Sequence, residues 1–124
     1  MVPSDLLDLT TLQNLVELDD GAHGLVSEMI GIFQDDTPRR IQAILQAIAQ
    51  QDAEALSRAG HALKGGAGAL GAKTLRTLGA ELEQLGRSGS VDAGADLPAR
   101  LEAAFQASLA ALESFVRDGE ANRT

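Results

Sequence analysis

The core of this chain has to be built almost without aromatic side chains. Phe33, Phe105 and Phe115 are the only aromatics among 124 residues, with no Trp and no Tyr. Leu, Ile, Val and Ala must therefore fill the interior, and they recur at helical spacing. β-Branched and aromatic residues are too sparse, and too seldom alternating, to build a sheet. This favours packed amphipathic helices, and the chain's length suits one domain around a single core.

Leu6, Leu7, Leu9, Leu12, Leu15, Val16 and Leu18 predict a short N-terminal helix over about residues 5–18, ending near Asp19-Asp20-Gly21. Leu25, Val26, Met29, Ile30 and Phe33 open a longer helix, and Ile41, Ile44, Leu45 and Ile48 continue it. Pro38 lies between its halves. It predicts a kink or a break, because proline donates no backbone hydrogen bond and disfavours a helical Thr37. Asp52 is placed to cap a third helix from Ala53 to Leu70, with Gly71 at its end. Leu75, Leu78, Leu82 and Leu85 form the stripe of a fourth helix, Lys73 to Arg87. Gly79 and Gly86 lie beside that stripe and would let a neighbouring helix come close. Arg87-Ser88-Gly89-Ser90 and Gly94 mark a loop. Asp96 can cap a last helix with Pro98 in its first turn, carrying Leu97, Leu101, Phe105, Leu109, Leu112, Phe115 and Val116 inward. Gly119 to Thr124 is expected to fray. The architecture expected is all-α: an antiparallel up-down four-helix bundle over about residues 22–118, with the N-terminal helix as a lid, forming one domain over residues 1–124.

The formal net charge of −8 argues against a general binder of nucleic acid or anionic membrane. The charge is uneven. Ala55 to Ala80 contains no acidic residue but holds Arg58, Lys64, Lys73 and Arg76. A basic island on an acidic chain points to an anionic ligand or an acidic partner, or else to chance clustering on a solvated face. No cysteine is present, so there is neither a disulfide framework nor a thiolate metal site. His23 and His61 are the only histidines, too few for a His-rich metal cluster. No apolar run reaches the length of a membrane span, and the N-terminus lacks a signal-peptide pattern. A cytoplasmic chain is expected, either free or as the cytoplasmic C-terminal domain of a membrane-bound protein.

The segment His61-Ala62-Leu63-Lys64-Gly65-Gly66-Ala67-Gly68 carries the chemistry. On a helical wheel Leu56, Ala59, Leu63, Ala67 and Leu70 fall on one side and His61 roughly opposite. Glu54, Ser57, Arg58, Lys64, Gly65 and Gly68 share its outer face. An ordinary exposed histidine is the bland alternative. Against it, Lys64 at i+3 can reach an anion carried on His61. Gly65 and Gly68, at i+4 and i+7, keep bulk away although each glycine costs about 1 kcal/mol relative to alanine. A neutral imidazole is a competent nucleophile near neutral pH, and attack on an activated phosphoryl group gives a phosphoramidate. Lys64 would stabilise charge on the phosphoryl oxygens.

His61-Ala62-Leu63-Lys64-Gly65, followed by Gly66-Ala67-Gly68-Ala69-Leu70-Gly71-Ala72, resembles the signature of histidine-containing phosphotransfer (HPt) domains. Leu75, Leu78, Leu82-Glu83, Leu85-Gly86-Arg87 and the Phe33…Asp36-Thr37-Pro38 segment fit the same family. The resemblance implies a four-helix bundle that relays a phosphoryl group between receiver-domain aspartates. It implies His61 as acceptor through Nε2, Lys64 as electrostatic partner and Gly65 as the clearance residue, with Arg58 and Gly68 on the docking face. The family places a polar residue of the next helix near the histidine, and Glu83 matches that position. It would accept from Nδ1–H and fix the tautomer; a solvated surface carboxylate is the alternative. The position after Gly65, frequently serine in the family, is Gly66.

The implied partners are receiver domains of response regulators or of hybrid sensor kinases, with this chain a monomer. Mg²⁺ is expected on the receiver, whose carboxylates suit a cation; no cofactor or metal is expected on this chain. No autonomous kinase or hydrolase activity is expected. A histidine kinase would need an ATP-binding α/β domain that this length does not hold, whereas a non-catalytic helical scaffold remains the rival. Gly66-Ala67-Gly68-Ala69-Leu70-Gly71 matches G-x-G-x-x-G but lies inside a helix with no preceding strand, so it is no dinucleotide site. His23 reads as a surface or cap residue. Asp19-Asp20 and Asp35-Asp36 read as solvated helix ends rather than a cation site.

Overall fold

The computed structural model describes residues 6–121. Five helices run in order: α1 (Leu9–Leu18), α2 (Gly24–Ala49), α3 (Ala53–Ala69), α4 (Lys73–Arg87) and α5 (Leu97–Ala121). α2 packs on α3 and α5, and α4 packs on the same two, which closes a four-helix bundle; α1 lies against α2. The apolar stripes explain the closure. Val26, Ile30, Phe33, Ile44, Leu56, Leu63, Leu75, Leu82, Leu101 and Leu112 are buried at helical spacing and form one core. Phe33 and Phe105 meet in it with ring centroids 5.6 Å apart. The bundle is all-α as expected, and among the described residues the only β pairing is an isolated bridge between Leu7 and Ala72.

The connections are tight for local reasons. Asp52 caps α3, its Oδ1 accepting from the Ala55 N–H at 3.0 Å. At the other end Gly71 takes a φ of +69°. There the Ala72 N–H donates to the Ala67 carbonyl at 2.9 Å and the Gly71 N–H to the Gly68 carbonyl at 3.1 Å, a Schellman closure. Asp96 immediately precedes α5, and its carbonyl accepts the Arg100 N–H at 3.0 Å.

Some expectations need correction. Pro38 does not break α2, which runs unbroken from Gly24 to Ala49. Phe33 and Thr37 before the proline and Ile41 and Ile44 after it are buried on one stripe, and that packing on both sides outweighs a proline cost of roughly 3 kcal/mol. Leu6 and Leu7 are not helical; Asp5 lies outside the described residues. The Asp8 N–H donates to the Gly71 carbonyl at 2.7 Å and the Lys73 N–H to the Leu6 carbonyl at 3.0 Å, so this stretch is pinned as an extended strap and α1 starts only after Asp8. Helix α5 continues past Gly119 to Ala121; the remainder of the expected frayed tail, residues 122–124, lies outside the described residues. His23 takes the N-cap position of α2, as the cap alternative had it, but makes no side-chain cap bond and is buried rather than on the surface, its ring 5.7 Å from that of Phe115. A side chain at Gly119 would collide with that imidazole, so the glycine leaves room for it. Asp19 is likewise no free helix end, since its Oδ2 accepts the Leu25 N–H at 2.9 Å at the start of α2.

The closest helix pair is α3 and α4, and glycine makes it so. A Cβ at Gly60 would stand 2.5 Å from the Glu83 backbone nitrogen. A Cβ at Gly79 would stand 2.6 Å from that of Lys64, and one at Gly86 2.5 Å from the Ala53 carbonyl oxygen. Gly79 and Gly86 therefore do what their place beside the leucine stripe suggested. Gly60 is the third member of the seam.

Candidate functional site

His61 stands on the outer face of α3 with 69% of its side chain exposed. Leu56, Leu63 and Ala67, on the opposite side, are buried. The imidazole thus points away from the core, and among the described residues its side-chain bond runs back toward the protein. Nδ1 lies 2.9 Å from Glu83 Oε2. A carboxylate can only accept, so Nδ1 carries a proton, and in the neutral ring the free lone pair is then on Nε2.

Glu83 reaches the imidazole from α4 because the glycine seam brings the two backbones together. Gly60 precedes His61, and the Glu83 backbone packs against it. Glu83 is 4% exposed, which excludes the solvated-surface alternative. Its Oε1 accepts from Lys64 Nζ at 2.5 Å, and its Oε2 accepts from Arg87 Nη2 at 3.0 Å as well as from His61. The Lys64 bond holds the Glu83 carboxyl below the usual carboxylate range; burial opposes this, while His61 and the Arg87 charge add to the lowering. Glu83 is thus an ionised acceptor with both oxygens engaged.

Gly65 has nothing within 4 Å of where a Cβ would be, so the space beside His61 is open. Gly68 is less open, because the Arg76 side chain passes 3.4 Å from its Cβ position. Gly66 faces α2, and the Arg40 guanidinium occupies the place of its missing side chain. Arg58 stands on the exposed face and pairs with Glu54 at 3.4 Å. Next to this ridge a shallow groove between α2 and α3 is lined by Met29, Ile32, Phe33, Arg40, Gly66 and Ala69. Ile32 is 60% exposed there.

The structure thus brings His61, Lys64, Glu83 and Gly65 into one place, with Arg58 and Gly68 on the same face. Sequence reasoning found neither Gly60 nor a role for Arg87. The spacing of Glu83 and Arg87, four apart on one helix, was the available signal for the latter. Among the described residues no three His, Asp or Glu side chains are grouped to hold a metal ion. Glu83, with both oxygens bonded to donors, does not suit a divalent cation. The G-x-G-x-x-G stretch lies in the last turns of α3 and its Schellman closure. None of the described helices is long and apolar enough to cross a membrane.

Neither a curated protein nor a solved structure matches the chain. The family model for the Hpt domain matches residues 28–115, from the second turn of α2 to well inside α5. That span holds His61, its whole hydrogen-bonded cluster, all of α3 and α4 and most of α2 and α5, so the chain belongs to the Hpt domain family, whose members serve phosphotransfer in two-component systems and interact with receiver domains.

Proposed function

We infer that the protein is a phosphorelay intermediate, accepting a phosphoryl group on His61 Nε2 from one receiver aspartate and passing it to another. The observation that carries this is the oriented imidazole: Nδ1–H bound to an ionised Glu83, with the ring 69% exposed. A docked phospho-aspartyl receiver presents phosphorus in line with the Nε2 lone pair. The P–N bond forms as the P–O bond to the aspartyl group breaks, and the carboxylate leaves with the bonding pair. Positive charge develops on the ring, and Glu83 meets it at Nδ1–H. In the return step the next receiver's carboxylate oxygen attacks phosphorus and the bonding pair goes back to Nε2. Lys64 supplies the cation for the phosphoryl oxygens. Mg²⁺ belongs on the receiver.

Docking uses the His61 ridge with Arg58, Gly65 and Gly68, and the adjoining α2–α3 groove offers Ile32 and Met29 as apolar contacts. A receiver carries its acidic residues around its phosphorylated aspartate, which suits the basic stretch from Arg58 to Arg76. The chain acts as a monomer in the cytoplasm.

The test is transfer of radiolabelled phosphate from a panel of phospho-receiver domains to the wild type and to His61→Gln. Acid-labile, alkali-stable label on the wild type alone is the expected result. The variant should keep its fold, losing no more than about 1 kcal/mol of stability, because an outward residue carries little core energy. A folded wild type that takes no label from any receiver favours a scaffold that docks partners without carrying phosphate.

A further inference from the structure

Glu83 carries one negative charge and serves three donors, two of them the side chains of Lys64 and Arg87. Lys64 holds Oε1 alone, whereas His61 and Arg87 share Oε2. The cations differ in origin. Lys64 comes from α3, one turn from the imidazole. Arg87 comes from the last turn of α4 and bonds Glu83 at i+4 on its own helix. The Arg87–Glu83 pair is therefore built within α4 and does not depend on α3.

The resting arrangement leaves Lys64 engaged with the wrong anion for phosphotransfer. To meet phosphoryl oxygens on Nε2 its ammonium has to leave Oε1. That departure would strand a buried carboxylate, which is costly unless another cation stays with it. Arg87 is that cation.

We propose that Lys64 is stored on Glu83 between transfers, and that Arg87 is the positioning residue that frees it by remaining on Glu83 as its counter-charge when the phosphoryl group arrives. Arg87 touches no reacting atom and acts through Glu83 and Lys64. The inference rests on His61 being the phosphoryl acceptor.

The test uses the full chain and a small donor, phosphoramidate, so that docking plays no part. The Nε2 lone pair forms the P–N bond as the donor's own P–N bond breaks, ammonia leaves with that electron pair, and Nδ1 keeps its proton toward Glu83. Labelling rates at His61 are followed by ³¹P NMR in the wild type, Arg87→Gln, Lys64→Ala and the double variant, with His61→Gln as blank. Arg87 is 63% exposed, so a modest effect is expected. Arg87→Gln should slow labelling roughly three- to tenfold in the wild-type background and less than about twofold when Lys64 is already alanine. Arg87→Lys should recover the rate to within about twofold. Arg87→Met, which keeps the apolar stem, should repeat the Gln result if that variant folds poorly. Equal slowing in both backgrounds, or none in either, overturns the role of Arg87 while leaving His61 as acceptor. Absence of label on the folded wild type removes the acceptor reading itself and the inference with it.

Discussion

At the scale of single residues the site is a small charge-balanced cluster around one carboxylate. Glu83 is depressed in the folded protein chiefly by its Lys64 bond, so it contributes stability that is present above the ordinary carboxyl value of 4.5 and is lost as pH falls through the lower folded value. Glu83→Gln has no such contribution at any pH. The difference in melting temperature between the two proteins should therefore be largest near neutral pH and shrink below about pH 4.5, as read by thermal melts across that range. The same variant should accept phosphate at least roughly tenfold more slowly, because an amide can present a donor to Nδ1 and reverse the tautomer. His61, Lys64 and Gly65 were legible in the sequence because one helical turn brings them together. Glu83 lies twenty-two residues beyond His61, and only the family resemblance pointed to it. Its burial and its bonds to His61 and Lys64 depend on how closely two helices approach, which no local spacing encodes.

Among the elements, α3 and α4 act as a pair, and their glycines divide into two kinds. Gly60 faces backbone atoms at 2.5 Å from its Cβ position, whereas Gly65 faces open space. Gly60→Ala should lose about 1–3 kcal/mol by prising the helices apart. Gly65→Ala should gain up to about 1 kcal/mol from helix propensity alone. Denaturant unfolding of the two variants checks both signs, and a neutral Gly60→Ala would contradict the seam. Four helices, their order and the α3 and α4 boundaries were readable from periodicity, Asp52 and Gly71. The N-terminal stretch misled because leucines at Leu6 and Leu7 suit a strap as well as a helix. Proline at position 38 misled because its local penalty is outweighed by burial along the whole of α2. His23 misled because only the path of α5 decides that Phe115 and Gly119 cover it.

Taken whole, the molecule is an acidic bundle with a net charge of −8 whose His61 ridge carries Arg58 and Lys64 beside an open position at Gly65. Gly65→Leu should leave the fold intact, since the space at that position is empty, yet weaken receiver binding roughly tenfold or more by blocking approach to His61. Calorimetric titration beside a thermal melt separates the two effects; unchanged affinity would remove clearance as the reason for the glycine. The helix bearing His61 carries four glycines in seventeen residues, at Gly60, Gly65, Gly66 and Gly68. That lowers its intrinsic helicity by about 4 kcal/mol relative to alanine at those positions. Alone it would not hold its shape, and the seam with α4 is what keeps it helical. Amide hydrogen exchange should accordingly show α3 and α4 opening as one cooperative unit, with matching protection and matching loss in Gly60→Ala. On the proposed relay reading, every receiver would meet the same glycine clearance beside His61, so choice among receivers would have to come from the receivers' own shape and charge.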